Sequence, residues 1–364
     1  MYVITNRKLH KGKKGLDIFG NDPNEDGPNE LRLVEVTKLA SGFKTRLLMD
    51  KLSKTRVKEL IKKYRLPIES DEDRYASLEA ACLLFEEARK KKKHLLFFVH
   101  GYNNDLGDIM KAAHRLELTY NVIAVPFSWP ANGGGKVSGS VAYLSDKDDA
   151  RVSMGALNRF IAKVGEYHGY LTEAQNNELL EKAEERFPNN PMAQQAHFTK
   201  LLERTCKVSL NLLCHSMGNY VFKYALKPGQ SAAARLVFDN VSLVAADANS
   251  EGHREWIERV HVRNRLYVVI NEKDYALGWS RRKPGEQQKA RLGHYLRDLD
   301  ASNAHYIDVT EAPQVGKDHG YFLGDPVNKN DKLRKMFSSI FEGGNAERAL
   351  RYHPDNNTYS FKRP

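Results

Sequence analysis

The segment CHSMG (214–218) is the strongest chemical signal in the sequence, because it joins the apolar stretch VSLNLLC to a helix-forming stretch. A serine in a strand-to-helix turn presents its hydroxyl at the sheet edge, and this tight turn needs small residues two positions before and after the serine. Gly218 meets the requirement, and the small Cys214 stands in place of the usual glycine. We therefore predict that Ser216 is a nucleophile; the alternative is a serine that only caps the next helix.

A second signal is the segment FVHGYNND (98–105), which contains the end of an apolar strand and the loop after it. Hydrolases with a serine in a strand-to-helix turn bind the developing oxyanion with the amide that follows the serine and with an amide from the loop after an earlier strand. These amides would belong to Met217 and Tyr102, and Gly101 would let the backbone approach the negative charge. The alternative is an ordinary turn before a capped helix.

Together these segments resemble the α/β-hydrolase superfamily, and more narrowly its bacterial esterase/lipase-like branch of unknown function. The resemblance spans about residues 90–325 and implies an α/β fold, with a mostly parallel central sheet, helices on both faces and a helical insertion. The matching segments are FVHGYNND (98–105), AVPFSWP (124–130), Tyr143 with Asp146, LLCHSMGNYV (212–221), NEKDYAL (271–277) and KDHGYFLGD (317–325).

The resemblance also implies a catalytic triad in the order serine, acid, histidine, with each residue at the end of a core strand. Carried onto this sequence, the nucleophile is Ser216, the acid is Asp274 after LYVVI, and the base is His319 after YIDV. His319 would take the serine proton and return it to the leaving group, while Asp274 orients the imidazole. Asp247 is the alternative acid, because some members of the superfamily place the acid after the preceding strand.

Several other residues near these motifs have roles that the sequence leaves open. The alternative bases are His253, His294 and His305. The candidates for pocket or scaffold positions are His100, Gly101, His215, Trp129 and Tyr143. We expect the two histidines of this second set to be scaffold or pocket residues rather than bases, and the two large aromatic residues either to line the substrate pocket or to pack in the interior.

The order of the predicted elements indicates how these residues are brought together. Apolar strands alternate with helices, which is typical of a parallel sheet covered on both faces, with catalytic residues at the carboxyl ends of its strands. We predict an N-terminal extension (1–75) that packs on the core or binds a partner, a hydrolase core (76–345) and a C-terminal tail (346–364). The polar helical stretch at 169–205 is either a lid or an outer helix pair.

Length and composition exclude several classes of protein. The chain has 364 residues, of which 41% are hydrophobic and 28% charged, so it can bury a substantial core. It contains no stretch of the ~18 apolar residues that a membrane-spanning helix needs, and its first residues do not resemble a secretory signal. Three cysteines form no disulfide framework and fit a reducing compartment, so we expect a cytoplasmic protein.

The remaining predictions concern ligands. We predict no metal site and no cofactor, because the histidines show neither of the common zinc spacings and no phosphate-binding loop is present. The net charge of +11 is diffuse and no nucleic-acid-binding motif accompanies it, so we expect no nucleic-acid partner. We expect a small-molecule or lipid-like ester as substrate, with a thioester or amide as less favoured choices. The alternative is a hydrolase-fold binding or effector module with weak or no catalysis, and a protein partner could dock on the N-terminal extension.

Overall fold

The structure, a computed structural model, describes residues 1–131, 140–205, 207–226, 236–282 and 289–361, with side chains described from residue 145 onward in the second range. The strands are β1 (Tyr2–Thr5), β2 (Arg7–Leu9), β3 (Phe19–Pro23), β4 (Arg32–Leu39), β5 (Gly42–Leu47), β6 (His94–Val99), β7 (Val122–Ser128), β8 (Leu210–His215), β9 (Asn240–Val244), β10 (Arg265–Ile270), β11 (Ala304–Asp308), β12 (Arg351–His353) and β13 (Thr358–Ser360). The helices are α1 (Lys54–Tyr64), α2 (Ala76–Lys91), α3 (Leu106–Thr119), α4 (Ser140–Val152), α5 (Met154–Arg186), α6 (Pro191–Arg204), α7 (Gly218–Ala225), α8 (Arg254–Ile257), α9 (Tyr275–Ser280), α10 (Asp325–Lys329) and α11 (Asp331–Phe341).

A mostly parallel sheet forms the centre of the protein, as the sequence predicted. Within the described residues its order is β12-β13-β11-β10-β9-β8-β6-β7-β1-β4-β5, and β2 pairs separately with β3. The strands from β13 to β1 run parallel, and antiparallel pairs occur only at the two edges. Every residue of β7 and β9 is buried, because helices cover both faces of a parallel sheet.

The strand order reverses at β6, which lies between β7 and β8. The chain passes from β6 to its neighbour β7 on one side and later returns to place β8 on the other side. The loops after β6 and β8 therefore leave the sheet in opposite directions, and ligands bind at such a point in open α/β sheets. The segments 98–105 and 214–218 lie on these two loops.

The chain forms two compact units. The first contains residues 1–47, 94–162 and the chain from Ser209 onward, and it holds the whole sheet. The second contains residues 48–93 and 163–208 and is helical, with α1, α2, α6 and most of α5. Its helices are joined by side-chain contacts such as the ion pair of Arg56 with Glu79 and the hydrogen bond of Ser77 with Tyr167 at 2.8 Å.

The units do not follow the boundaries that we predicted at residues 75 and 346. The first 47 residues belong to the unit that holds the sheet, because β1 pairs with β7 through Ile4 and Phe127, and β4 and β5 continue that edge. The predicted tail supplies β12 and β13 at the other edge. The stretch 169–205 shares its unit with residues 48–93, and its role as a lid remains a prediction.

Candidate active site

Ser216 occupies a strained turn between β8 and α7. Its φ of 53° lies in the left-handed region, which residues other than glycine rarely adopt, and its side chain is buried. The buried Asn219 holds the turn in this shape, since its Nδ2 donates to the carbonyl oxygens of Cys214 at 3.0 Å and of Ser216 at 3.0 Å. Sequence analysis did not single out Asn219; a polar residue on the buried face of a short apolar helix was the available signal.

Two glycines make room for this turn. A Cβ at Gly218 would lie 2.5 Å from the carbonyl oxygen of Val99, and a Cβ at Gly101 would lie 2.7 Å from Cβ of Ser216. The loops after β6 and β8 are therefore in direct backbone contact, which only glycine permits at these positions. The residue before α7 is Met217, and it makes no side-chain capping bond. Ser216 therefore does not have the capping role that was its alternative interpretation.

Cys214 and His215 flank the serine, and neither is poised to act as a nucleophile or base. Burial raises the pKa of the Cys214 thiol well above its ordinary value, so the sulfur is protonated. Burial, with the neighbouring His319 as a second cause, lowers the pKa of His215 to about 3. The neutral His215 ring donates from Nε2 to the carbonyl oxygen of His319 at 3.1 Å, and the two ring centroids are 4.7 Å apart. His215 thus connects the loop of Ser216 to the loop of His319.

Asp274 and His319 form a close pair at the ends of adjacent strands. Asp274 lies between β10 and α9, and its Oδ2 lies 2.7 Å from Nδ1 of His319. The Asp274 side chain is fully buried, whereas that of His319 is 25% exposed. The other carboxylate oxygen accepts the backbone N–H of Leu277 at 3.0 Å and so caps α9. Both oxygens of the carboxylate are therefore oriented.

The loop that carries His319 is fixed by two residues that the sequence analysis missed. The amide of the buried Asn271 donates to the carbonyl oxygens of Gly316 at 3.0 Å and Asp318 at 3.2 Å. The fully buried Tyr321 donates its hydroxyl to a carbonyl of β10 at 3.0 Å. An asparagine at the end of the apolar stretch LYVVI was the sequence signal for the first of these anchors.

No hydrogen bond joins the Ser216 hydroxyl to His319 in the part of the chain that the structure describes. Serine–imidazole hydrogen bonds of free enzymes are often long and shorten only when substrate is bound. The structure nevertheless brings both residues to one edge of the sheet, because His215 contacts His319 and is bonded through the chain to Ser216.

Asp247, the alternative acid, has different partners. Its Oδ1 accepts the hydroxyl of Ser280 at 2.6 Å and lies 3.1 Å from Nε of Arg291. Asp247 and Arg291 are both nearly inaccessible to solvent, so they form a buried ion pair between the loop after β9 and the segment that precedes β11.

The three alternative bases lie in structural environments. His253 is buried and is bonded to the Ser250 carbonyl and the Tyr306 hydroxyl, each at 2.6 Å. His294 ends a short 3-10 helix at 292–294. His305 lies in β11, with its ring 5.9 Å from that of Tyr267. Burial lowers the pKa of each of these histidines.

The loop after β6 presents its amide groups in a defined direction. The carbonyl of Gly101 accepts hydrogen bonds from Nδ1 of His100 at 2.8 Å and from the side chain of Asn104 at 3.2 Å. In a trans peptide the C=O and the following N–H point in opposite directions. The N–H of Tyr102 therefore points away from the side on which the Gly101 carbonyl is held.

His100 and Trp129 support this loop from the interior. Their rings stack with centroids 5.0 Å apart, and Trp129 Nε1 donates to the carbonyl of His100 at 2.9 Å. Trp129 is fully buried, so it packs in the interior, which is one of the two roles predicted for it. Burial holds the pKa of His100 well below its ordinary value, so the ring is neutral. The side chain of Tyr143 lies outside the described residues.

The described residues contain neither a metal-binding cluster nor a membrane-spanning helix. Within them, no cluster of His, Cys, Asp or Glu side chains has the arrangement of a metal site. No described helix combines the length and apolar character that crossing a bilayer requires.

One protein family and one solved structure are similar to parts of the chain. A family described as "Alpha/beta hydrolase of unknown function (DUF900)" matches residues 79–170, a segment that contains Gly101 but neither the serine turn nor the loops of Asp274 and His319. A solved structure described as "Crystal structure of esterase PE8" is 13% identical over 68% of this chain and 93% of that chain, with a TM-score of 0.31. No curated protein matches the chain. The strand order and the family match place the protein in the α/β-hydrolase superfamily.

Proposed function

We propose that the protein is a serine hydrolase that cleaves an ester through an acyl-enzyme. The observation that carries this proposal is the 2.7 Å contact between the buried Asp274 carboxylate and Nδ1 of His319, on the same sheet edge as the strained Ser216 turn. A carboxylate on one ring nitrogen leaves the other nitrogen as the proton acceptor for a serine hydroxyl. A solvent-exposed carboxylate would do this less well, because water would compete for the imidazole.

In the proposed mechanism, Nε2 of His319 takes the proton of Ser216 while Oγ attacks the ester carbonyl carbon. The amides of Tyr102 and Met217 bind the resulting oxyanion, and Asp274 stabilises the imidazolium. The tetrahedral intermediate collapses when the C–O bond to the alcohol breaks and His319 gives its proton to the leaving oxygen. Water, deprotonated by His319, then attacks the acyl-enzyme and releases the acid and Ser216.

The proposed substrate is a small-molecule or lipid-like ester. When an ester is cleaved, the leaving alcohol oxygen takes its proton from the imidazole of His319, so no second acid is required for this step. The net charge of +11 favours substrates or surfaces that carry negative charge. Thioesters and amides would be cleaved by the same sequence of acylation and deacylation. Assays of all three substrate classes with the same preparation would rank them.

The first test is labelling with a fluorophosphonate probe, read by intact mass. Wild type should gain one adduct, because an activated serine displaces fluoride from phosphorus, and Ser216→Ala should gain none. Ser209→Ala is the matched control, since Ser209 lies at the opposite end of β8 and bonds to His94 and to the carbonyl of Glu342. This control should label like wild type. A folded wild type without an adduct would support the alternative of a non-catalytic binding module.

A further inference from the structure

Arg7 is the first residue of β2 and carries a buried charge. It is distant in the sequence from the residues of the candidate triad. Its side chain is fully buried, and burial lowers its pKa to about 10, so it stays charged at neutral pH. Among the described residues its guanidinium forms no ion pair; its hydrogen bonds go to uncharged oxygens. Burying a charge costs free energy unless its donors are hydrogen-bonded. We therefore ask what the hydrogen bonds of Arg7 hold in place.

The guanidinium joins three segments of the sheet unit. Its partners are the carbonyls of Asn104 at 2.7 Å, Gly20 at 3.1 Å and Ala131 at 3.2 Å, the side-chain oxygen of Asn21 at 3.1 Å and the hydroxyl of Ser128 at 2.8 Å. These partners lie in the loop after β6, in β3 and its surroundings, and at the end of β7. A lysine at this position could not reach them together, because it is a point charge with three donors on one nitrogen.

Asn104 connects Arg7 to the loop that carries the candidate oxyanion donor. Its carbonyl is held by Arg7, and its side-chain Nδ2 donates to the carbonyls of Gly101 at 3.2 Å and Tyr102 at 2.7 Å. Three carbonyls of this four-residue loop are thus held by hydrogen bonds that involve Arg7 or Asn104. Because each N–H points opposite to the carbonyl before it, the bonds to Asn104 set the direction of the Tyr102 amide.

A second anchor holds the middle of the same loop. Asn103 has a φ of 56°, in the left-handed region, and its N–H donates to Oδ2 of the fully buried Asp146 at 3.1 Å. The loop is therefore held in a strained shape that does not depend on a bound substrate. A preorganised donor is worth more in catalysis than one that must be reoriented during the reaction.

We infer that Arg7 is a positioning residue for the oxyanion hole and acts on the Tyr102 amide through Asn104. The N-terminal strands are then part of the active-site support, in addition to their role in the sheet. This inference rests on the proposed function. Its consequence is specific: loss of the Arg7–Asn104 link should weaken binding of the tetrahedral intermediate more than binding of the substrate.

The test compares Asn104→Ala and Arg7→Lys with Asn264→Ala in the full-length protein. Asn264 is the matched control, because its Nδ2 also bonds two backbone carbonyls, those of Gly343 at 2.9 Å and Gly344 at 3.4 Å, but it precedes β10 at the opposite end of the sheet. The measurements are kcat and KM on an aryl ester, and the Kd of an aryl boronic acid. The boronic acid bonds to the serine oxygen and forms a tetrahedral anion like the intermediate.

Asn104→Ala should lower kcat by about 10²-fold, leave KM within about threefold and weaken the boronic acid in proportion to kcat. Arg7→Lys should act in the same direction, and Asn264→Ala should leave all three quantities near wild type. Wild-type kcat and boronic-acid affinity in a folded Asn104→Ala would overturn the inference, and so would an equal loss in Asn264→Ala, which would indicate general destabilisation. A wild type that neither hydrolyses esters nor binds the boronic acid would overturn the proposed function itself.

Discussion

The loops after β9 and β10 offer a direct comparison, since each carries one buried carboxylate on neighbouring parallel strands. Asp274, after β10, contacts the imidazole of His319 at 2.7 Å. Asp247, after β9, contacts the guanidinium of Arg291 at 3.1 Å and the hydroxyl of Ser280 at 2.6 Å. Both were candidates for the catalytic acid from the sequence.

Both carboxylates are buried, so the partner of each carboxylate, and not its burial, distinguishes the two loops. A guanidinium stays protonated at any physiological pH, so the Asp247–Arg291 pair is a fixed brace. An imidazole gains and loses a proton near neutral pH, so a carboxylate bonded to it can assist proton transfer. We therefore propose that the Asp274 loop takes part in catalysis and that the Asp247 loop supports the structure, and this proposal can be tested.

The largest expected effect is on the activity of Asp274→Asn. The asparagine amide would face Nδ1 of His319 and favour the wrong tautomer, so kcat should fall by about 10⁴-fold. The fold should persist, because asparagine caps helices as well as aspartate does and α9 would keep its cap. Steady-state ester hydrolysis and circular dichroism of the same preparation measure both effects. Full activity in a folded Asp274→Asn would move the acid role to another residue.

The next effect is on the stability of Asp247→Asn. This change leaves the buried Arg291 without its carboxylate, and removing one partner of a buried ion pair costs about 3–5 kcal/mol. Urea denaturation should show this loss, while kcat of the remaining folded protein should stay within about tenfold of wild type. If Asp247→Asn instead abolished activity without loss of stability, the roles assigned to the two loops would be reversed.

The third effect is on the pH dependence of stability, through His215, whose ring lies beside that of His319. The pKa of His215 is lowered to about 3 in the folded protein, whereas an unfolded histidine titrates near 6.5. Below pH 6.5 the unfolded chain binds a proton at this residue and the folded chain does not, so the free energy of unfolding falls as the pH falls towards 3. This residue should contribute on the order of 3 kcal/mol between pH 6.5 and 4.

The matched variants for this effect are His215→Gln and His261→Gln. Glutamine at position 215 can still donate to the His319 carbonyl but does not titrate, so urea denaturation at several pH values should show a shallower slope. His261 is exposed, and its replacement should leave the slope unchanged. A slope in His215→Gln equal to that of wild type would contradict the neutral state assigned to His215.

The smallest effect concerns a third carboxylate, that of Asp149. Among the described residues, neither an imidazole nor a buried cation is hydrogen-bonded to it. Burial, followed by the nearby charge of Asp146, raises the pKa of Asp149 to about 7. Its ionisation therefore destabilises the fold as the pH rises through 7. Asp149→Asn should raise stability at pH 8 by about 1 kcal/mol, after allowance for partial exposure, should raise it less at pH 5, and should have no effect below the unfolded pKa of 3.8. The exposed Asp148→Asn is the control; a gain there would point to general surface charge.

The sequence predicted the central strands well and the sheet edges poorly. The apolar runs HLLFFVH (94–100), NVIAVPF (121–127) and LYVVI (266–270) coincide with β6, β7 and β10 to within one residue at each end. β5 was not predicted, because it is largely exposed, and β12 and β13 have only three residues each. Pairing with a longer neighbour stabilises such edge strands, and pairing is not visible in local sequence.

The sequence of residues 143–166 favours one helix, but these residues belong to two helices, because of a contact with a residue far away in the chain. α4 ends at Val152 and α5 begins at Met154. At the junction, Ser153 donates its hydroxyl to the carbonyl of Asp149 at 2.7 Å and accepts a hydrogen bond from Asn6 at 3.0 Å. Serine hydroxyls compete with the backbone hydrogen bonds of a helix in this way. The second partner of Ser153, Asn6, directly follows β1 and is therefore distant in the sequence.

The sequence alone determined the α/β fold and the local chemistry of the site. Small residues around Ser216 and apolar runs before each candidate residue act within a few positions, so their effect is readable from the chain. Tertiary structure alone decided the partners: His319 beside Asp274, 45 positions away, and Arg7 beside Asn104, 97 positions away. Carboxylates, amides and guanidinium groups bond to whatever the packed sheet brings near them, and that proximity is set by strand order rather than by spacing in the sequence.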